Sequence, residues 1–199
     1  MSGNRWLQKL EEDPGHSAWY VERFRRMAAQ GEDLHGEARF VDAMAPRTAS
    51  ILDAGCGPGR VGGRLAELGH RVVGVDFDSV LIETAREDHP DCTWLVVDLA
   101  EMELTDPALP LPFDLGVCAG NVMTFLDPTT RRPVLSRLRA HFADGGRLAV
   151  GFGAGRGYDF EEFFVDAEAT GWTVDLRLST WDIRPFGQDS DFLVAVLRR

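Results

Sequence analysis

Lysine is almost missing from this 199-residue chain: Lys9 is the only one, and the remaining positive charge is arginine. A mechanism that needs a lysine in the folded core is therefore excluded unless Lys9 folds back into it. Cysteine is scarce as well. Cys56, Cys92 and Cys118 stand apart, without C-x-x-C or His–Cys spacing. They read as buried thiols of a reducing cytoplasm, and neither a disulfide framework nor a metal site is expected. No apolar run approaches the length of a membrane span. The opening "MSGNRWLQKLEEDPGHS" has no basic segment leading into an apolar one, which predicts a chain without a secretory signal. Positive charge is in deficit, with a formal net charge of −11. Such a surface repels phosphate backbones and anionic lipid, so neither nucleic acid nor membrane is expected as a partner.

Hydrophobic residues nevertheless make up 44% of the chain, enough for a full core in one cytoplasmic domain covering 1–199. Repeats and low-complexity segments are absent. Short apolar runs alternate with helical spacing, which argues for βαβ units around a parallel sheet. Strands are expected at Ile51–Ala54, Arg71–Asp76, Thr93–Asp98, Phe113–Gly120 and Gly145–Phe152. Helices are expected after the first strand (Val61, Leu65, Leu68, stopped by Gly69), from about Asp78, over about Pro128–Phe142 and within "YDFEEFFVDAEATG". The chain then changes character. "WTVDLRLSTWDI" and "DFLVAVLRR" are separated only by "RPFGQDS". That connection is too short for a crossover helix, so the last two strands should pair antiparallel. Residues 1–45 precede the first strand and form a helical appendage to a core of residues 46–199. Tyr20, Phe24 and Met27 make an apolar stripe there, with Trp19, Arg23 and Arg26 beside it, and a second helix spans Gly36–Met44.

The stretch "ILDAGCGPGRVGGRLAELGHRVVGVDFD" (Ile51–Asp78) carries the chemistry, and it fits two registers. Gly57 to Gly62 reads as G-x-G-x-x-G, a dinucleotide-binding turn. Asp53 to Gly59 reads as D-x-G-x-G-x-G, a loop associated with S-adenosylmethionine (SAM). Both put a glycine turn between a strand and its helix, where backbone approaches a ligand. Both use Asp76 to accept hydrogen bonds from ribose hydroxyls, so its spacing from Gly57 decides nothing. Asp53 separates them. In the dinucleotide register it is an unpaired carboxylate within a buried strand, which costs several kcal/mol in rough terms. In the other it ends the strand, organises the loop and attracts an ammonium group.

With "LDAGCGPGR", then "VVGVDFD" and "WLVVDLAEM" at the expected places, residues from about 51 to 199 resemble the class I SAM-dependent methyltransferases. The resemblance implies an α/β fold, a Rossmann-like seven-stranded mostly parallel sheet ending in an antiparallel hairpin, here with an N-terminal helical cap. It implies that the loop of Asp53, Gly55, Cys56, Gly57 and Gly59 cradles the methionine part of SAM. Asp76 would bind the ribose, Phe77 would pack near the adenine, and Asp98 would meet the adenine amino group with the Leu99 backbone alongside. "CAGNVMTFL", with Ala119 and Gly120, would line the path from methyl to acceptor. The implied activity is methyl transfer to an N, O or S atom of a small metabolite. An NAD-dependent oxidoreductase using the other register, or a SAM-binding module without catalysis, are the alternatives.

Methyl transfer from a sulfonium needs alignment and exclusion of water, and a base only where the acceptor arrives protonated. His16, Tyr20, Tyr158 and Asp159 are the candidate bases, none of them within a motif. His35, His70, His89 and His141 read as surface or helix-end residues. No N-P-P-Y or D-P-P-Y follows the fourth strand, which argues further against a nucleobase acceptor. The acceptor pocket is expected from the N-terminal helices, the Asn121–Phe125 loop and the mobile glycine-rich loop Gly151–Tyr158. Trp19, Arg23, Asn121, Met123 and Arg156 are its candidate contacts, and Arg23 or Arg26 could meet the cofactor carboxylate.

Overall fold

Seven apolar runs pair into one sheet in the computed structural model, which describes residues 3–199. They are β1 (Ser50–Ala54), β2 (Arg71–Asp76), β3 (Thr93–Val96), β4 (Phe113–Cys118), β5 (Phe142–Gly153), β6 (Thr173–Leu178) and β7 (Phe192–Arg198). Their order across the sheet is β3-β2-β1-β4-β5-β7-β6. β1 to β5 pair in parallel, and β7 is inserted antiparallel to both β5 and β6. This is the Rossmann-like sheet with an antiparallel ending that the sequence predicts.

Eight helices accompany it among the described residues: α1 (Arg5–Glu12), α2 (His16–Ala29), α3 (Gly36–Met44), α4 (Arg60–Glu67), α5 (Ser79–Asp88), α6 (Val122–Phe125), α7 (Arg131–Ala140) and α8 (Phe160–Ala169). Side-chain alternation along the strands divides the core into two layers. Leu52 and Val73 belong with Leu135 and Leu138 of α7 and Phe163 of α8. Ile51 and Val72 belong with Val41 of α3 and Leu65 of α4. Because β1 has β2 on one side and β4 on the other, the strand order reverses beside it. A crevice therefore opens at the carboxyl ends of these strands.

Several boundaries differ from expectation. β3 ends at Val96 and β4 at Cys118, leaving Asp98, Ala119 and Gly120 in loops. The helix expected over 128–142 is a 3-10 turn at Pro128–Thr130 followed by α7, and Phe142 already opens β5. β6 stops at Leu178, so "STWDI" joins the connection to β7, where Trp181 packs on Phe40. Cys56 and Cys118 are buried, but Cys92 is only partly so. His70 is not a surface residue: its side chain is buried and its Nε2 lies 3.0 Å from Asp42 of α3.

α1 has no counterpart in the sequence reading. Asn4 caps it, its side chain accepting from the Trp6 and Leu7 backbone N–H groups. α1 and α2 pack through Trp6 and Val21 onto Leu81 of α5. Trp6 also meets Tyr20 and Phe125 edge-on, with ring centroids 5.3 and 5.6 Å apart.

Candidate functional site

An open cavity, about 630 Å³ with the solvent at its mouth included, fills the crevice. Gly55 and Gly57 of the glycine loop, Asp76 and Phe77 after β2, Asp98 and Leu99 after β3, and Ala119 and Gly120 after β4 line it from the sheet. Trp6 and Tyr20 line it from the N-terminal helices. A second cavity of about 370 Å³ adjoins it over the glycine loop, and Asp53, Cys56, Pro58, Arg60 and Phe24 face it. The two cavities share Tyr20, Gly55, Gly57, Ala119 and Gly120.

The loop conformation requires its glycines. Gly55 has φ +73, and a Cβ there would come within 2.4 Å of Val122. Gly59 caps α4 in the left-handed region at φ +81, where a Cβ would meet the Trp94 ring at 2.9 Å. Gly59 thus turns the chain into α4 and does not line either cavity. Asp53 is part of buried β1, as the dinucleotide register would require, yet it is not unpaired: its Oδ2 accepts from the Gly62 backbone N–H at 2.8 Å. Burial pushes its carboxyl up to about 7, against the lowering effects of that bond and of Arg60. Asp76 accepts from the Gly57 N–H at 2.9 Å and the Asp78 N–H at 3.0 Å, so it fastens the glycine loop to the end of β2. Burial pushes it up to about 6.

Asp78 is the α5 cap that its position predicts, with Oδ1 accepting from the Val80 N–H. Its other oxygen accepts from Trp6 Nε1 at 2.9 Å and from the Ser17 hydroxyl. One buried carboxyl group therefore holds α1 and α2 beside Asp76. Arg60, first residue of α4, forms a two-pronged pair with Glu37 at 2.6 and 2.9 Å and donates to the Leu34 carbonyl. Among the described residues it is the one cation lining either of these two cavities.

Comparison with known proteins gives this geometry a family. A crystal structure of a TehB-like SAM-dependent methyltransferase from Corynebacterium glutamicum superposes with a TM-score of 0.88 and 47% identity, covering 93% of this chain and 98% of that one. The chain belongs to the SAM-dependent methyltransferases. A methyltransferase-domain family profile matches residues 51–146. N-demethylindolmycin N-methyltransferase of Streptomyces griseus is 33% identical over 133 residues, 62% of this chain and 54% of that protein. Trans-aconitate 2-methyltransferase of Azoarcus sp. BH72 is 38% identical over 105 residues, 51% of this chain and 38% of that protein. The chain thus spans about half the length, or less, of these curated relatives.

SAM is the family's cofactor, and the methyltransferase's cavities suit it. A Cβ on Gly57 or Gly120 would stand 3.7 Å from the ring edge or the hydroxyl of Tyr20, at ordinary contact distance, so Tyr20 lies directly over these two bare backbone positions. Asp76 and Asp98 supply carboxyl acceptors in a largely apolar cavity that Asn4 and Tyr20 also line, while Asp53 and Arg60 give the second cavity one acid and one cation, complementary to an amino-acid zwitterion.

The candidate acceptor contacts and bases scatter. Tyr20 alone lies in the cavities. His16 is half-buried outside them, its ring stacked on Trp19. Trp19 is 50% exposed, and Arg23 is exposed with its guanidinium 5.8 Å from the Trp19 and Phe24 ring centroids. Tyr158 does not reach inward to a ligand. It is buried in the core, stacked on Phe152, and its hydroxyl donates to Asp166 at 2.7 Å, so it anchors the loop that holds it. Asp159 caps α8. Arg156 is exposed; a side-chain nitrogen of Arg5 donates to its carbonyl. Met123 is fully buried, and Asn121 precedes α6 without a capping bond, its Oδ1 accepting instead from the Gly153 N–H at 2.8 Å. Residues 151–158 line neither cavity. Trp6, Asp78 and Arg60 are the site-forming residues the sequence reading missed. Arg60 carried a signal as a cation directly following the glycine turn, and Asp78 only as a helix cap.

Proposed function

We propose that this protein transfers the methyl group of SAM to a small-molecule acceptor, as one domain in which α1 and α2 cover the cofactor. The observation that carries the reading is the pair of joined cavities: an apolar one rimmed by Asp76 and Asp98, and a smaller one holding one acid and one base. In this reading the larger cavity takes the nucleoside. Asp76 accepts from the ribose hydroxyls, Phe77 packs near the adenine, and Asp98 with the Leu99 backbone meets its amino group. The smaller cavity takes the amino-acid tail, with Asp53 toward the ammonium and Arg60 toward the carboxylate. Gly55, Cys56, Gly57, Ala119 and Gly120 form the floor.

Bound there, SAM supplies a methyl group on a sulfonium, an electrophile that an acceptor lone pair displaces in line. The chain's own contribution is alignment and exclusion of water. Trp6 and Tyr20 close the outer side of the cavity, and Asp78 holds both of their helices in place. The names of the relatives support a small acceptor, one denoting N-methylation of N-demethylindolmycin and the other methylation of trans-aconitate. The net charge of −11 supports the same reading against a nucleic-acid substrate.

Turnover tests it. Incubated with SAM and fractions of a small-metabolite pool, the protein should form S-adenosylhomocysteine in step with a methylated product in at least one fraction. Tight SAM binding without product in any fraction would favour a binding module.

A further inference from the structure

In the proposed placement the nucleoside runs toward Asp76 and Asp98, beyond β2 and β3, and the amino-acid tail toward Asp53 and Arg60. A sulfonium carries a third substituent. The side those two leave open is that of β4 and β5, so the methyl and its acceptor belong there. Strand register shows what stands on that side. Val117 pairs with Ala149 and Cys118 with Val150, so the next positions, Ala119 and Gly151, lie beside each other. Ala119 lines both cavities, whereas Gly151 lines neither.

Trp181 covers Gly151. A Cβ there would fall 2.3 Å from the indole Cζ2. The indole also meets Phe40 of α3 edge-on at 5.5 Å and packs against the apolar layer that contains Ala119. The Trp181 Cβ lies 3.9 Å from where a Cβ on Gly36, the first residue of α3, would stand. Glu37, the next residue, holds Arg60. One side chain thus spans from the end of β5 to the start of α3 and closes the β5 side of the site.

That side chain is fixed. It sits in the connection from β6 to β7, where the Ser179 N–H donates to the Arg184 carbonyl at 2.8 Å and Leu178 bridges Pro185 antiparallel. Ile183 completes this turn at φ +71, an unfavourable backbone for a β-branched residue, and its own side chain stays 65% exposed. What the turn secures is the inward indole.

We propose that Trp181 is the specificity-determining residue of the acceptor side: its indole is the far wall, and it limits transfer to acceptors compact enough to fit between that ring and the methyl. The wall is aromatic and apolar, so the acceptor presents a small apolar flank to it and its lone pair to the methyl. This inference rests on the cofactor reading above.

The test needs no knowledge of the acceptor, because a larger group in the methyl's place probes the same space. The probes are SAM analogues with nitrogen in place of sulfur, carrying methyl, propyl or benzyl, titrated calorimetrically beside S-adenosylhomocysteine. Wild type should bind the benzyl analogue about tenfold or more below the methyl analogue, the scale of overfilling a packed space. Trp181→Ala should bring the two within about threefold of each other while retaining S-adenosylhomocysteine. Trp181→Phe keeps a ring on Phe40 and should fall between, which preserves the test if the alanine variant does not fold. Equal wild-type affinity for methyl and benzyl, or the same ratio in wild type and both variants, overturns this inference alone. So does a fall of all ligands together in both variants, the mark of a structural role. Wild-type protein that binds neither S-adenosylhomocysteine nor any analogue overturns the cofactor reading as well.

Discussion

Trp6 Nε1 donates to Asp78 Oδ2 across 72 positions of sequence, at 2.9 Å and out of solvent. Asp78 also receives the Ser17 hydroxyl and caps α5, and its own backbone N–H donates to Asp76. Docking of the N-terminal helices and the position of Asp76 in the cavity wall are thus joined through one residue.

Replacing Asp78 by alanine removes a helix cap and strands the Trp6 and Ser17 donors. We expect a loss of about 2–4 kcal/mol in denaturant unfolding, above the usual cost of a single cap. Trp6→Phe keeps the aromatic contacts and deletes one donor, so about 1–2 kcal/mol is expected. Equal, negligible effects of both would mean that α1 is not held by this carboxylate.

The raised carboxyls set a pH dependence. Asp53 and Asp76 titrate near 7 and near 6 in the folded protein, against a reference value of 3.8. Between those limits the folded state binds more protons than the unfolded state, so their contribution to stability falls as pH rises from about 4 to 7 and then levels. In the proposed placement, a cofactor ammonium near Asp53 and ribose hydroxyls at Asp76 favour the ionised forms. S-adenosylhomocysteine should therefore bind more tightly as pH rises from about 5.5 to 7.5, with proton release visible by calorimetry in buffers of different ionisation enthalpy. Proton uptake on binding would contradict this placement.

The sheet was legible because its evidence is local and repeated. Apolar runs, glycine stops and a short final connection each mark a strand or a turn. The glycine loop was legible because few residue types tolerate its backbone. Tertiary partners were not. Nothing local in "RWLQKLEE" announces that Trp6 reaches Asp78. Tyr158 misled in the opposite way: the glycines at 151, 153, 155 and 157 suggested a mobile inward loop. The aromatic density of Phe152, Phe160 and Phe163 instead draws its ring into the core, where Asp166 satisfies the hydroxyl. Arg23 misled because a helical stripe shows which residues adjoin, not which way the helix faces.

Arg60, not Arg23, is expected to meet the cofactor carboxylate. Arg60→Gln should weaken S-adenosylhomocysteine by about tenfold or more, the scale of a charged hydrogen bond, while leaving 5′-methylthioadenosine, which lacks the amino-acid tail, nearly unchanged. Loss of the Glu37 pair will also lower stability. The comparison between the two ligands separates these effects, and equal weakening of both would assign Arg60 to structure alone.

The most direct test of the central claim is a calorimetric titration of the purified protein with S-adenosylhomocysteine and, separately, with NAD. One-to-one binding of S-adenosylhomocysteine, much tighter than any response to NAD and weakened by Asp76→Ala by about 1–3 kcal/mol, is the predicted result. Tight NAD binding with no response to S-adenosylhomocysteine or SAM would contradict it.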